Sequence, residues 1–170
     1  MGADDTGERA CRRADDVLLG DCDVATFRGG GPGGQKRNKT SNAVRLTHRP
    51  TGLAATAGET RSLAENKSLA LGRLRLRLAV EVRQRPGDAA TLRRHVARGR
   101  LACRATHADY PLVVAELLDA LAAERWAVAG AARRLGVSTS GVIDLVTSDK
   151  TVLTKVNAER QALGHAPLTG

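Results

Sequence analysis

The stretch RGGGPGGQKRNK, residues 28–39, is the part of the sequence best suited to chemistry. Glycines let backbone N–H groups approach a ligand closely, because no Cβ intervenes. Gln35 follows the glycines with a neutral amide, and Lys36, Arg37 and Lys39 then place three cations within four residues. A site of this kind would act through positioned backbone donors on a substrate that is held largely by another molecule.

Two common glycine-loop motifs fit this stretch poorly. A phosphate-binding G-x-x-x-x-G-K-[ST] loop needs a lysine after its second glycine, but Gln35 follows Gly34 here. A dinucleotide-binding G-x-G-x-x-G loop leads into a crossover helix, whereas this loop leads toward a strand pattern. The 4 histidines are scattered and the 3 cysteines show no C-x-x-C spacing, so we expect no metal, cofactor or disulfide framework.

The positive charge lies in the middle of the chain. The net charge is +9, and residues 28–100 carry 17 Lys or Arg against 4 Asp or Glu. This concentration favours a polyanionic partner over a plain solvated surface. The N-terminus has no apolar signal core and no apolar stretch has the length of a membrane span, so we expect a cytoplasmic protein without a membrane partner.

The patterns around the glycine stretch predict a small sheet and one long helix. Apolar and polar residues alternate in 22–28 and 43–48, and a turn at 49–52 leads to a third strand at 53–57. Ser62 and Glu65 form a capping-box pattern that opens a helix reaching about Arg83. We expect its charged residues to point outward and its apolar stripe to consist of Leu63, Ala70, Leu71, Leu74, Leu78 and Val82.

The rest of the chain is predicted to be helical. A short helix is predicted at 8–19, and residues 89–125 have a helical composition. Residues 127–147 have a helix-turn-helix pattern, with Gly136 at the turn and Ser138 or Thr139 as the cap of the second helix. The expected fold class is α+β: a small sheet with a packed helix, followed by an all-α C-terminal part.

GGPGGQKRNKTSNAVRLTHRPTG, continued by ETRSLAENKSLALGRL, resembles the catalytic domain of class I peptide chain release factors of the bacterial and organellar type. Gly33-Gly34-Gln35 matches the GGQ tripeptide of that family, and the resemblance covers about residues 21–83. The further matching residues are Asn38, Ser41, Val44, Arg45, Thr47, His48, Pro50, Thr51, Gly52, Arg61, Ser62, Asn66 and Lys67.

This resemblance implies hydrolysis of the ester between nascent peptide and tRNA in the ribosomal peptidyl-transferase centre. Gly33, Gly34 and Gln35 would be the catalytic residues of a mobile loop. The Gln35 N–H would stabilise the oxyanion while its side-chain amide positions water, and Gln35 would be open to methylation. The residues expected to bind RNA are Arg28, Lys36, Arg37, Asn38, Lys39, Ser41, Arg45, Arg61 and Lys67.

The resemblance also predicts a division of the chain into an extension, 1–20, a hydrolase domain, 21–87, and a helical part, 88–170. Only about 20 residues precede the hydrolase domain, so we expect a stand-alone protein of the ribosome-rescue type that does not read a codon. The C-terminus lacks the basic tail by which one type of rescue factor senses an empty mRNA channel. The substrate stays open between a non-stop 70S ribosome and a split large subunit.

Two other functions remain open at this point. One is a non-catalytic RNA-binding regulator that keeps the release-factor fold, and the other is a DNA-binding regulator that uses the helix-turn-helix pattern. Residues 101–170 carry 7 basic and 7 acidic residues, which disfavours DNA and favours docking on the ribosome or on a protein. The role of the C-terminal part, the methylation of Gln35 and the oligomeric state are not determined by the sequence.

Overall fold

The computed structural model describes residues 9–28 and 42–169. The chain divides into two compact units, Met1–Leu78 and Ala79–Gly170, and the boundary falls inside a helix. Among the helices of the described ranges, none combines the length and apolar character that a membrane crossing requires. The predicted functional boundaries after residues 20 and 87 stay predictions.

The first unit contains the predicted three-stranded sheet. Its strands are Cys22–Phe27 (β1), Ala43–His48 (β2) and Ala54–Ala57 (β3). The strands are antiparallel in the order β1-β2-β3, with β2 in the centre. Val44 and Leu46 are buried whereas Arg45 is exposed, as the alternation predicts. The turn after β2 closes with a hydrogen bond from the Gly52 N–H to the His48 carbonyl, and Gly52 has a φ of 70°, a conformation that favours glycine.

One helix, Leu63–Glu81 (α2), follows the sheet as predicted. Four residues of the predicted apolar stripe are buried: Ala70, Leu71, Leu74 and Leu78. The prediction is wrong for Leu63, which is 45% exposed because it is the first helical residue and precedes the buried face. Val82 lies beyond the helix end and is half-buried.

The arginines of α2 do not simply point outward. Arg73 and Arg77 donate hydrogen bonds to the carbonyl oxygens of Thr56 and Ala54 on the edge strand β3, at 2.7 and 2.5 Å. Arg75 reaches the segment before β1 and forms a 2.6 Å ion pair with Asp15. These three side chains therefore fasten the helix to the rest of the first unit, which the charge pattern alone did not predict.

The prediction of a single helix at 8–19 is wrong. The chain forms a 3₁₀ turn, Ala10–Arg12, and then a separate short helix, Asp15–Gly20 (α1). The two are divided because Arg13 and Ala14 adopt extended backbone angles, with ψ values of 149° and 156°. Arg13 forms a 2.5 Å ion pair with Asp21 just beyond α1, which holds the chain in this bent path.

The second unit is mostly helical, but the expectation of an all-α part requires one correction. Residues 89–125 contain a two-stranded hairpin in addition to helices. Positive φ angles at Arg98 and Gly99, 52° and 74°, form its tip. The elements are Ala90–Arg94 (α3), Val96–Ala97 (β4), Arg100–Leu101 (β5), Tyr110–Ala123 (α4), Val128–Leu135 (α5), Thr139–Thr147 (α6) and Lys150–Ala162 (α7).

The helix-turn-helix prediction is confirmed by α5 and α6. Gly136 ends α5 with a φ of 70°, and Ser138 caps α6 by accepting a hydrogen bond from the Gly141 N–H at 3.1 Å. Ala132 and Val142 are buried as expected for closely packed helices. The α+β class is likewise confirmed by the sheet and helices of the two units.

Candidate functional site

Each of the three strands of the first unit has one terminus at the same end of the sheet. Phe27, the last residue of β1, pairs with Ala43, the first residue of β2. Val44, the next residue of β2, pairs with Ala57, the last residue of β3. The chain therefore leaves the sheet before the GGQ stretch and rejoins it after that stretch at the same end of the sheet, which we call the loop end.

The buried side-chain amide of Asn66, a residue of α2, connects the loop end to the helix. Asn66 is 0% exposed, and its Nδ2 donates to the carbonyl oxygen of Asn42 at 2.8 Å and to that of Thr60 at 2.9 Å. Its Oδ1 accepts from the Thr60 N–H at 3.0 Å. Asn66 thus gives hydrogen-bond partners to three backbone groups of the half-buried residues Asn42 and Thr60, and it fixes the residue at which the chain re-enters β2.

The approach to α2 is tied to the same point. The Asn42 side chain donates to the carbonyl oxygen of Arg61 at 2.8 Å, so Asn42 is held through both its carbonyl and its amide. Ser62 caps the helix by accepting from the Glu65 N–H at 3.2 Å. The N–H of Ser62 is bonded to Thr60 Oγ1 at 3.1 Å, so this cap lacks the reciprocal bond of a full capping box.

Close packing at Gly58 explains why this position lacks a side chain. A Cβ at Gly58 would lie 2.9 Å from the Cβ of Ala43, closer than carbon atoms pack. Because Ala43 is the first residue of β2, a larger residue at 58 would push apart the two strands at the loop end. We name Asn42, Gly58, Thr60 and Asn66 together the loop clamp.

Four of the nine residues predicted to bind RNA lie within the described ranges. Arg28 and Arg61 are exposed and flank the loop end, one directly after β1 and the other two residues before α2. Lys67 is half-buried beside Asn66, and Arg45 is exposed two residues into β2. None of the four forms an ion pair with a carboxylate of the described residues, so their charges are free to meet a polyanion.

The remaining predicted site residues lie outside the described residues. They are Gly33, Gly34, Gln35, Lys36, Arg37, Asn38, Lys39 and Ser41. The catalytic assignment of the GGQ tripeptide and the methylation of Gln35 therefore stay predictions. The described part of the site consists of the loop clamp and the cations around it.

Titratable chemistry near the clamp is limited. Glu59 forms a 2.7 Å ion pair with Arg73, and hydrogen bonds from Arg73 and from the Gly58 N–H hold the pKa of this carboxyl below its usual range. His48 is buried at the opposite end of the sheet from the loop end, where its Nδ1 lies 2.8 Å from Thr51 Oγ1. Arg73 thus stabilises Glu59 as an anion. His48 contacts Thr51 and so belongs to the turn after β2.

Asn66 is the site residue that the sequence analysis missed. It was matched only as part of the helix entry, whereas the structure assigns it the central contacts of the loop clamp. A signal was present: Asn66, Ala70 and Leu74 follow one another at four-residue spacing, which places a polar amide on the buried stripe. A buried polar side chain must find hydrogen-bond partners, and this requirement marks it as a residue with a specific role.

A second exposed cationic feature lies in the other unit. The Ser138 N–H, at the start of α6, donates to the carbonyl oxygen of Gly99 at the hairpin tip at 2.8 Å. Gly141 is needed there because a Cβ would lie 3.1 Å from the Leu101 nitrogen. The hairpin therefore presents the exposed side chains of Arg98 and Arg100 beside the beginning of α6. Arg100 is 3.8 Å from Asp144, so its charge is only partly offset.

Comparison with known proteins identifies the family of this chain. The RF-1 domain model matches residues 15–107, more than half of the chain. This chain therefore belongs to the RF-1 domain family, that of the class I peptide chain release factors. The match extends beyond the 21–83 resemblance on both sides and includes the hairpin of the second unit.

Among individual relatives, peptide chain release factor 2 of Treponema pallidum is 49% identical over 65 residues, which cover 38% of this chain and 18% of the relative. Peptide chain release factor 2 of Thermomicrobium roseum is 43% identical over 82 residues, covering 46% and 22%. Peptide chain release factor 1 of Caldicellulosiruptor saccharolyticus is 48% identical over 58 residues, covering 34% and 16%. The chain thus spans about a fifth of the length of the curated relatives that it matches.

Proposed function

We propose that this protein hydrolyses the ester of peptidyl-tRNA in the ribosomal peptidyl-transferase centre and so releases the nascent chain. The observation that carries the proposal is the loop clamp, in which Asn66 fixes the base of a loop that contains the GGQ tripeptide. Membership of the release factor family and the exposed cations Arg28 and Arg61 at the loop end support it. The partners proposed are large-subunit RNA and peptidyl-tRNA.

The proposed chemistry needs few protein side chains. Water attacks the ester carbonyl, the C–O bond to the tRNA ribose breaks, and the backbone N–H of Gln35 stabilises the oxyanion of the tetrahedral intermediate. Gly33 and Gly34 allow the backbone to approach the ester closely. Because this catalysis depends on position, the contribution of Asn66 and Asn42 is to reduce the number of orientations that the loop base can adopt.

The cations give the site its affinity. Arg28, Arg61, Lys67 and Arg45 would contact ribosomal RNA phosphates around the loop, together with Lys36, Arg37 and Lys39 within it. Each phosphate contact releases counterions, so binding should weaken steeply as salt concentration rises. These contacts position the loop without reading a sequence.

We further propose that release by this chain does not depend on the codon and serves the rescue of stalled complexes. In this proposal the second unit docks on ribosomal RNA, because Arg98 and Arg100 stand exposed beside the start of α6. Docking on RNA would account for the exposed cations of the hairpin, which stand next to a stretch, 101–170, that is electroneutral as a whole.

A peptide-release assay tests both proposals. Radiolabelled peptidyl-tRNA is supplied in three complexes: 70S ribosomes on truncated mRNA, 70S ribosomes on intact mRNA with a sense codon, and isolated large subunits. We expect release from the first or the third, at equal rates for every terminal codon, and its loss in Gly34→Ala. No release from any of the three complexes, despite ribosome binding, would favour the non-catalytic RNA-binding regulator. Release only at stop codons would disprove codon independence and leave the hydrolase proposal intact.

The docking role has a separate test. Arg98→Ala/Arg100→Ala should raise the protein concentration needed for half-maximal release while leaving the saturated rate unchanged, since these residues provide only binding. Arg104→Ala, an exposed arginine outside the hairpin, is the matched control. An unchanged concentration dependence in the double variant would rule out docking through the hairpin.

A further inference from the structure

A histidine, a cysteine and a second histidine meet in the second unit, at residues 95, 103 and 107 of the sequence. His95 follows α3, Cys103 follows the hairpin, and His107 lies in the irregular segment before α4. One donor atom from each side chain lies within 4.8 Å of the others. The rings of His95 and His107 pack edge to face, with centroids 4.7 Å apart.

We infer that His95, Cys103 and His107 form a Zn²⁺ site with three protein ligands. Imidazole nitrogen and thiolate sulfur are the donors that Zn²⁺ prefers, and the fourth position of the tetrahedron is left to water. Tetrahedral coordination places neighbouring donor atoms about 3.3 to 3.6 Å apart, as follows from bonds of about 2.0 Å to nitrogen and 2.3 Å to sulfur. The observed group is slightly wider, so binding requires movements of about 1 Å.

The surroundings of His95 favour a metal ligand. Its Nε2 lies 3.0 Å from Asp109 Oδ2, a carboxylate that also pairs with Arg94 at 3.3 Å. An imidazole that donates a hydrogen bond from its Nε2–H to a carboxylate has the Nδ1 lone pair available, and such carboxylates commonly orient the histidine ligands of zinc. The ring is also held in place by its burial, since the His95 side chain is only 14% exposed.

Cys103 supplies the negative charge that the site needs. It is a buried, free cysteine, and its Sγ makes only a distant contact, 3.8 Å, with the carbonyl oxygen of Arg104. A disulfide does not explain its position, because all three cysteines of the chain are free. Burial and the nearby Asp109 raise the pKa of the Cys103 thiol, so its proton leaves only when Zn²⁺ binds, and the resulting thiolate offsets part of the charge of the ion.

His107 is the ligand that must move. Its Nδ1 accepts a hydrogen bond from the Asp109 N–H at 3.0 Å, and the ring is exposed. Zn²⁺ bound at Nδ1 would replace that hydrogen bond, after which water can satisfy the Asp109 N–H. The metal would then add a further link between the irregular segment 102–109 and the end of α3, which the Arg94–Asp109 ion pair and the His95–His107 ring contact already join.

Zn²⁺ titration of the full-length protein, reduced and stripped with a chelator, tests this site. Competition with a chromophoric chelator should give one Zn²⁺ per chain, with submicromolar affinity. Co²⁺ substituted for Zn²⁺ should produce a thiolate-to-metal charge-transfer band. We expect Cys103→Ser and His107→Gln to weaken Zn²⁺ binding at least tenfold, and Asp109→Asn to weaken it about 10- to 100-fold through His95.

Matched controls separate this site from adventitious binding. Cys22→Ser keeps the hydrogen bond to the Leu18 carbonyl, and His165→Gln alters a histidine that bonds the Arg125 carbonyl, so neither should change Zn²⁺ affinity. His107→Gln removes an exposed ligand, so it should keep the native circular dichroism spectrum even if Cys103→Ser does not. Absence of the Co²⁺–thiolate band, or Zn²⁺ affinity unchanged in His107→Gln, would overturn the proposal.

Discussion

The Nδ2 atom of Asn66 lies 2.8 Å from the carbonyl oxygen of Asn42, so an amide on a helix holds the residue at which the chain returns from the GGQ stretch to the sheet. The same amide is bonded to both backbone groups of Thr60, where the chain passes from β3 to α2. One side chain therefore joins the start of α2 to Thr60, six residues before Asn66, and to Asn42, 24 residues before Asn66. Its substitution should affect folding and loop geometry together.

Asn66→Asp tests the loop clamp with almost no change of shape. The substitution replaces the donor that faces the carbonyl oxygens of Asn42 and Thr60 with a second acceptor. We expect a loss of about 2 to 4 kcal/mol in the free energy of unfolding, because buried backbone groups lose their partner and a charge is buried. Urea denaturation followed by circular dichroism measures it.

The release rate of folded Asn66→Asp at saturating concentration should also fall, since the base of the loop is no longer fixed. Asn157→Asp is the matched control: it disturbs an amide bonded to the backbone of Leu168, within the second unit. It should leave the saturated release rate unchanged. If both variants release peptide at the rate of the unsubstituted protein, the clamp has no part in positioning the loop.

The cations at the loop end should set the salt dependence of ribosome binding. Arg28→Ala and Arg61→Ala should each lower the slope of log affinity against log salt concentration by about 1, the effect of losing one phosphate contact. Arg12→Ala removes an exposed arginine in the segment before β1 and serves as the control. Binding measured between low and moderate salt gives the slopes, and equal slopes in all three variants would contradict the proposed RNA contacts.

Leu74 should contribute strongly to the stability of the first unit. It is fully buried on the face of α2 that the sequence identifies as apolar, so Leu74→Ala leaves a cavity and should cost about 2 to 5 kcal/mol. Leu69→Ala, on the same helix but at a residue that is 42% exposed, should change the free energy of unfolding by less than about 1 kcal/mol. Urea denaturation compares the two, and similar losses would show that the buried face has been misassigned.

Tyr110 should make the stability of the second unit fall at alkaline pH. Burial raises the pKa of its phenol above the ordinary value, against the smaller effect of a hydrogen bond with Ser148 Oγ at 3.3 Å. The native state therefore retains the proton more strongly than the unfolded state. This contribution to stability is fully present below the unfolded pKa of about 10 and is lost as pH rises through the folded pKa.

Tyr110→Phe removes this titration. The variant should be less stable near pH 8 by about 1 kcal/mol, from the lost hydrogen bond, but the deficit should shrink by up to about 1.4 kcal/mol per pH unit above pH 10. Urea denaturation of the variant and of the unsubstituted protein, near pH 8 and above pH 10, measures the difference in their free energies of unfolding. The other titrating groups are common to both proteins and cancel in the comparison. A deficit that stays constant with pH would show that the phenol ionises equally in both states.

Local patterns in the sequence predicted many elements of the fold because each depends on neighbouring residues. Alternation at Val44 and Leu46 placed β2, and the turn needed the positive φ that Gly52 adopts. The sequence limited the cap of α6 to Ser138 or Thr139 for the same reason, since a cap contacts the backbone within three residues, and the structure shows that it is Ser138. The resemblance of the GGQ segment to release factors likewise rested on a contiguous stretch, and the RF-1 domain match confirms it.

The tertiary structure decided the features that rest on distant contacts. The hairpin 96–101 lies in a segment with helix-forming composition, and its strands of two residues are too short to show an alternation of apolar and polar residues. A hydrogen bond from the Ser138 N–H to the Gly99 carbonyl helps to hold the hairpin. Arg73 and Arg77 could equally have faced water, and only the nearby edge of β3 gives them carbonyl partners. Periodicity specifies which side of a helix is buried, but it does not specify what a polar group on that side will meet. Asn66 at the loop clamp, and His95, Cys103 and His107 at the proposed metal site, acquire their roles only when the folded chain brings their partners together.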